Sequence, residues 1–406
     1  MFLTNFLSET DNNVCCSWKN PSNLLFGGFF FICLVHFFSQ RPLWLDEISI
    51  YDNIAKSSFL GLLGPLDHAQ AFPRLSLMLI KALSQPLGYH VLALRLCSLV
   101  SMLTAFVIWA RIYHTVLPDR QSFLLALMML ATSYPLAYYA AEFKPYAIDV
   151  LVTGLGLWIM CKQHRWYMAP PRIRSLCLLA TLLPLLLFLS YVSFLVIWII
   201  GWNMFLLAFT DRRYWLPLGI FALACLLVLG IVYQVDLRHA WGDGALMTYW
   251  ESYFLCTESV GCFLESFWEG VRRMSTWGFG KGKVFMQWAS FVIPFFLYGL
   301  GRYGFGNWIR AKGKVTEPGS LLAVLFCQLF ILGLLHKYPF TGERITLFLL
   351  PLVSYGVARA LVDLRRWPWV YHFFLLNFWI LGITAWGWSM GIFGRLYEYG
   401  INRHFS

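Results

Sequence analysis

The residues of this chain best placed for chemistry are acids and bases gathered at the ends of apolar segments. Asp46 and Glu47 stand side by side in RPLWLDEISIYDN (41–53), just after the first strongly hydrophobic run. Further along come HAQAFPRLSLMLIKAL (68–83) with His68 and Arg74, YPLAYYAAEFKPYAIDVL (134–151) with Glu142 and Lys144, and KYPFTGERITLFLLPL (337–352) with Arg344. Charge is costly near hydrocarbon, so an acid there needs a partner or a task. It can take a proton from a reacting group, orient a basic residue or hold a hard divalent ion. Glu47 and Glu142 are the candidates for the last two roles. An isolated juxtamembrane pair reads most simply as solvated acids; what weighs against that here is the company they keep. The sequence holds neither a P-loop nor a G-x-G-x-x-G fingerprint.

On a helical wheel over 43–56, Trp44, Ile48, Tyr51 and Ala55 share one face, while Asp46, Ser49 and Asn53 take the opposite one, with Lys56 near them. This pattern predicts a helix lying in the membrane interface, with Trp44 and Tyr51 as anchors. Asp46 then faces protein or an aqueous cavity. Glu47, about 100° further round, has a separate role. Glu142 and Lys144 close one apolar run, and Pro145 is expected in the first turn of the next. Tyr138, Tyr139 and Tyr146 surround them; an ordinary aromatic belt accounts for the rings but less well for Glu142, whose stem is too short to snorkel far. Asp149, one turn into that run, is a weaker cavity candidate. His36, His114, His164 and His336 read as structural or interfacial.

The elements that must carry these residues follow from composition. The chain has 406 residues, 59% hydrophobic and 13% charged, against about 25% charged in soluble domains. It is expected to be an all-α polytopic membrane protein, so domain counting by length does not apply. A spanning helix needs about 20 apolar residues. On that rule spans fall near 22–39, 91–110, 121–139, 145–161, 175–190, 192–210, 215–235, 285–301, 320–336, 344–362 and 370–392, about eleven, with interfacial helices in the first loop. Residues 1–20 are polar and the apolar run after them lacks a small-residue cleavage site, so the first span is expected to remain as an anchor.

The net charge of +11 sits in short clusters between spans, which encodes topology rather than nucleic-acid binding. With the N-terminus cytoplasmic, loops 111–120, 162–174, 211–213, 302–319 and 363–368 hold 14 Lys/Arg in 50 residues. Loops 40–90 and 236–284 then lie outside. The chain divides into a transmembrane module 1–235 that includes loop 40–90, a lid-like loop 236–284, and C-terminal helices 285–406. Acids of 236–284 are expected in solvent, or in a lid over the cavity in which Trp241, Tyr249 and Trp250 offer stacking rings. Cys256 and Cys262 fall where a disulfide is permitted, although spacing cannot establish one. The cysteines in or beside apolar spans read as small core residues.

The succession WLDE, an apolar helix, His68 before a proline turn, LALRLCSL and YPLAYYAAEFKPYA resembles the integral-membrane glycosyltransferases of the C-type (GT-C) fold. The branch it resembles is that of the protein O-mannosyltransferases and bacterial lipid A aminoarabinose transferases. The similarity is best over 40–160 and returns at 337–352. It implies a sugar donor carried on a polyprenyl phosphate, a lipid, glycan or protein acceptor, and a multi-pass protein of the plasma (inner) membrane working at its outer face. By the same resemblance Asp46 matches the catalytic acid and Glu47 the acid beside it. His68 matches a polar position; Glu142, Lys144 and Tyr146 match a Q-E-x-R-P-Y stretch; Arg344 matches a late basic residue. The chain departs from the pattern at Phe72-Pro73, Arg74, Cys97 and Lys144, which bears on sugar and acceptor rather than on fold.

For such a transfer, Asp46 is expected to take the acceptor's proton, with Lys144, Arg344 and Arg74 at the donor phosphate. His68, Glu142, Tyr146 and Tyr139 would line the cavity. A divalent cation is compatible with the acids but not required by them. Two other classes stand beside this one: a transporter or flippase of a lipid-linked intermediate, which favours charges buried mid-span, and a non-catalytic scaffold of the same fold.

Overall fold

In hydrocarbon a chain must satisfy its own backbone polar groups, so apolar runs of this length become helices. The computed structural model describes residues 21–39, 41–68, 70–166, 173–238, 248–279, 287 and 289–389, and among them there is no strand. The helices are α1 (Pro21–Phe38), α2 (Leu45–Lys56), α3 (Arg74–Ser84), α4 (Val91–Val116), α5 (Arg120–Ala131), α6 (Tyr134–Tyr139), α7 (Tyr146–Trp166) and α8 (Ile173–Leu182). They continue with α9 (Ser193–Thr210), α10 (Trp215–Val232), α11 (Val260–Thr276), α12 (Val292–Gly299), α13 (Gly306–Arg310), α14 (Pro318–Leu334), α15 (Leu350–Asp363) and α16 (Pro368–Ser389).

Among the described residues six helical stretches are long and apolar enough to cross a membrane, and Arg120–Ala131, Tyr146–Cys161, Ile173–Phe188 and Pro318–Leu334 are shorter apolar helices. The chain is thus an all-α, membrane-embedded protein. The expected span 121–139 is divided at Thr132 and Ser133, because Pro135 sits in the first turn of α6 and cannot continue the hydrogen-bond ladder of α5. Likewise the run 175–190 tightens into a 3-10 turn at Leu183–Phe188, with Pro184 in its first turn. In the described part of the run 285–301, a 3-10 turn Ala289–Phe291 leads into α12 and then a π-helical segment Leu300–Phe305.

The bundle packs through close backbone approach as much as through large side chains. α4 lies along α7, where the Trp109 indole donates to the Val150 carbonyl at 3.2 Å. α12 meets α15 at Gly299, where a Cβ would stand 2.4 Å from the Gly356 carbonyl oxygen. Without a hydrophobic driving force between helices in lipid, such small-residue contacts supply the dispersion that holds them together.

Segment 41–90 has its own small core. Ile50, Ile54, Leu62, Phe72, Leu77, Ile80, Leu94 and Phe143 are buried together, seating α2 and α3 on the start of α4 and on the turn before α7. At about 1.5–3 kcal/mol for each buried large apolar side chain, this core fixes α2 against the bundle. The buried face of α2 is Glu47, Ile50, Asn53 and Ile54, which corrects the wheel reading. Trp44 and Ile48 are exposed as expected, but Tyr51 is half-buried and packs edge-on against Tyr89 at 6.2 Å. Asn53 is held inside by Asp67, whose backbone N–H it accepts at 2.8 Å.

The region expected as a solvated loop contains α11 and is tied down. Cys256 and Cys262 form a disulfide, while Cys33, Cys97, Cys161, Cys177, Cys225 and Cys327 are not bridged to one another. The Phe340 N–H donates to Tyr253 at 2.9 Å. Glu251, Glu258 and Glu265 are exposed, but Asp236 is buried and Glu269 is paired with Arg272 and Arg273 at 2.6 Å. Trp241 and Asp243 lie outside the described residues.

Gly342 marks where the segment before Arg344 touches α11. A Cβ there would stand 2.2 Å from the Arg273 carbonyl oxygen and 2.5 Å from the Met274 nitrogen, both backbone atoms that cannot swing aside. Gly342→Ala is therefore expected to cost about 1–3 kcal/mol, as overpacking does, read as a lowered midpoint of thermal unfolding in detergent. An unchanged midpoint would show that this contact is loose.

Candidate functional site

The first turn of α2 carries Asp46 and Glu47, and the structure sends them to different partners. Glu47 is 1% exposed and accepts both arms of Arg95, from Nε at 3.0 Å and from Nη2 at 2.7 Å. It also accepts the Phe143 backbone N–H at 3.2 Å. Arg95, fully buried in α4, donates its other arm to the Arg41 carbonyl at 3.0 Å. This pair welds the start of α2 to α4 and to the turn before α7. An arginine inside an apolar run, as in ALRLCSL, was the sequence signal for a buried acidic partner.

Asp46, one position earlier, pairs with Arg344, Oδ2 to Nη1 at 2.8 Å. Its side chain keeps 25% exposure and that of Arg344 12%, so the pair opens to solvent while its neighbours are sealed. Asp46 Oδ1 makes no hydrogen bond among the described residues. The guanidinium of Arg344 is ringed by Trp44 at 4.9 Å and by Tyr249 and Trp250 at 5.8 Å each. Such cation–π contacts hold a cation in place without neutralising it. Trp44, read as a lipid anchor, thus also braces this arginine.

Lys144 lies alongside, its side chain 6% exposed, donating to Gln70 Oε1 at 2.9 Å. Burial lowers it to about 8, while Asp46 and Glu142 pull it up, so it is mostly charged at neutral pH. An ammonium has three N–H groups; among the described residues the other two have no partner. Glu142 is 1% exposed. Its Oε2 is 3.8 Å from Arg41, whereas Oε1 has no hydrogen-bond partner. Burial raises its carboxyl to about 7, against the pull of Arg41, Arg344 and Lys144. Arg41 itself stacks on the Tyr138 ring at 3.5 Å and donates to the Tyr138 and Ala141 carbonyls at 3.0 Å, capping the end of α6. Tyr139 and Tyr146 are buried edge to face at 5.2 Å, with Trp277 6.2 Å from Tyr139.

Of the residues singled out by sequence, the structure therefore gathers Asp46, Glu142, Lys144, Tyr139, Tyr146 and Arg344, with Glu47 sealed against Arg95. Two others go elsewhere. His68 stands in an exposed left-handed turn (φ 62°), 3.5 Å from Asp52. Arg74 is buried against Asp236 at 2.7 Å and donates to the Val235 carbonyl at 3.2 Å. A cavity of about 30 Å³ with Tyr191 on its wall adjoins that pair. As a phosphate ligand Arg74 is thus already spoken for: an anion there would have to displace Asp236 and leave it buried without its cation.

The acids considered as metal ligands do not converge. Both oxygens of Glu47 are used by Arg95, Glu142 faces Arg41, and no group of three His, Cys, Asp or Glu able to hold an ion occurs among the described residues. Sequence reasoning passed over Arg41, Arg95 and Gln70 and put Asp236 in solvent or a lid, because their roles depend on neighbours distant in the chain. Asp149 is buried and accepts from Ser190 Oγ at 2.5 Å.

No protein-family model matches the chain, and a search of curated proteins finds no significant match.

Proposed function

We propose that this protein is a glycosyltransferase of the GT-C type, moving a sugar from a polyprenyl-phosphate carrier to an acceptor at the outer face of the plasma (inner) membrane. In this reading the N-terminus is cytoplasmic and the bundle crosses the bilayer about eleven times, counting as spans the four shorter apolar helices and the helical run 292–310. The observation that carries the reading is the Asp46–Arg344 pair, 2.8 Å apart and open to solvent, with the incompletely paired Lys144 beside it. A base and two cations at one membrane-surface site match what transfer from a lipid phosphate demands.

The acceptor hydroxyl attacks the anomeric carbon as the bond from that carbon to the phosphate oxygen breaks, and the electron pair leaves with the lipid phosphate. Asp46 Oδ1 takes the acceptor's proton. Lys144 and Arg344 meet the negative charge that grows on the phosphate, in a setting where burial strengthens each contact. Arg344 bridges the two tasks: Nη1 holds Asp46, while Nη2 donates to the Tyr249 hydroxyl at 3.5 Å. Glu47 and Arg95 act as positioning residues by fixing the α2 turn that aims Asp46.

The test is to incubate purified protein with a panel of polyprenyl-phosphate sugars and follow sugar release. Release from no donor, whatever acceptor is added, would end this reading. It would move weight to a transporter, which the Asp149–Ser190 contact beside the broken run 183–192 favours. Lys144→Ala is expected to raise KM for the donor about tenfold or more, the loss of one charge-assisted contact, with acceptor KM unchanged. An effect confined to the acceptor would remove Lys144 from the phosphate.

A further inference from the structure

One group in the cluster has no task in the transfer just described. Glu142 is a wholly buried carboxyl with an unpartnered oxygen, Oε1, beside Arg41, whose Nη1 is likewise buried and unpartnered. A buried polar atom without a partner calls for an explanation, and a catalytic role is one. The groups that face Glu142 come from every neighbouring element. They are Arg41 before α2, Glu47 on α2, Tyr139 on α6, Lys144 on its own turn, Tyr146 on α7, and Arg344 from the later chain. Lys144 and Tyr146 interact with both Asp46 and Glu142, so the two carboxyls share one electrostatic network.

Charge balance then assigns Glu142 a part. Four cations, Arg41, Arg95, Lys144 and Arg344, meet three acids, Asp46, Glu47 and Glu142. With every acid ionised the site has one excess positive charge, which matches the single negative charge of a phosphodiester donor. Transfer turns that diester into a phosphomonoester of roughly −2 charge at neutral pH and frees the acceptor's proton. The excess charge no longer balances the phosphate unless one acid becomes neutral.

Resting on the glycosyltransferase reading, we propose that Glu142 is the proton store of this site: it receives, by way of Asp46, the proton released by the acceptor and holds it until the lipid phosphomonoester leaves. The atoms balance. The acceptor's oxygen gains the anomeric carbon, its proton passes to Asp46 and then to Glu142, and the phosphate departs with the electron pair. Burial already brings Glu142 to about 7, so an incoming dianion tips it to the neutral form without a conformational change.

The probe is polyprenyl phosphate itself, titrated calorimetrically into purified protein at pH 7.5 in buffers of different ionisation enthalpy, which reports protons taken up on binding. Linkage requires uptake whenever a bound anion raises a nearby carboxyl. The wild type is expected to take up about half to one proton per phosphomonoester bound, and markedly less with the methyl diester of the same lipid. Glu142→Gln should still bind the monoester, with uptake near zero. Equal uptake by Glu142→Gln overturns the assignment, as does equal uptake for monoester and diester in the wild type, a comparison that stands even if the variant does not fold. No binding of either lipid phosphate would overturn the glycosyltransferase reading instead, and this proposal with it.

Discussion

On the proposed glycosyltransferase reading, Asp46→Asn is expected to lower sugar transfer by about 10²- to 10⁴-fold, the range that a positioned general base supplies. The argument is geometric. The amide keeps the size of the carboxylate and can still accept from Arg344 Nη1, now at 2.8 Å from Asp46 Oδ2, but it cannot take a proton. Since the pair keeps a quarter of the aspartate exposed, its loss costs little stability, on the order of 0–1 kcal/mol for a partly exposed pair. Expression, membrane insertion and thermal midpoint should therefore match the wild type while turnover collapses. Wild-type turnover in a folded Asp46→Asn protein would remove Asp46 from the reaction.

The neighbouring acid predicts the reverse. Arg95→Met is expected to destabilise the protein by about 3–5 kcal/mol, because it leaves Glu47 buried with an uncompensated charge. Both partners are sealed, 0% and 1% exposed, and joined by two hydrogen bonds. Combining Arg95→Met with Glu47→Gln removes the orphaned charge and should recover a large part of the loss. Thermal unfolding of the single and double variants in one detergent checks this. A single variant as stable as the wild type would mean that the pair contributes nothing, and that α2 is held by its apolar core alone. One residue step along α2 thus separates a change expected to act on rate from one expected to act on stability.

That separation was partly legible beforehand. A helix turns about 100° per residue, so adjacent acids on α2 could not share a target. What the wheel misplaced was the buried face, since it ranked Trp44 and Tyr51 by hydrophobicity and had no knowledge of Arg95. In a segment packed at once against a bundle and a lipid surface, the face turned inward can be the one holding a buried ion pair. Arg74 shows the same limit from the other side. As a cation expected at the outer membrane surface it read as a phosphate ligand, and only the return of the chain at Asp236, 162 residues later, shows it paired.

Taken alone, the sequence determined that this is an all-α membrane protein. It also placed the chemistry-bearing side chains at the ends of apolar runs, because hydropathy, proline positions and local charge act over a single helix or turn. Tertiary structure decided which cation each acid would meet: Arg344 for Asp46, Arg95 for Glu47, Arg41 for Glu142 and Asp236 for Arg74. Ion pairing depends on distances of a few ångströms between segments far apart in the chain, and no local pattern encodes those.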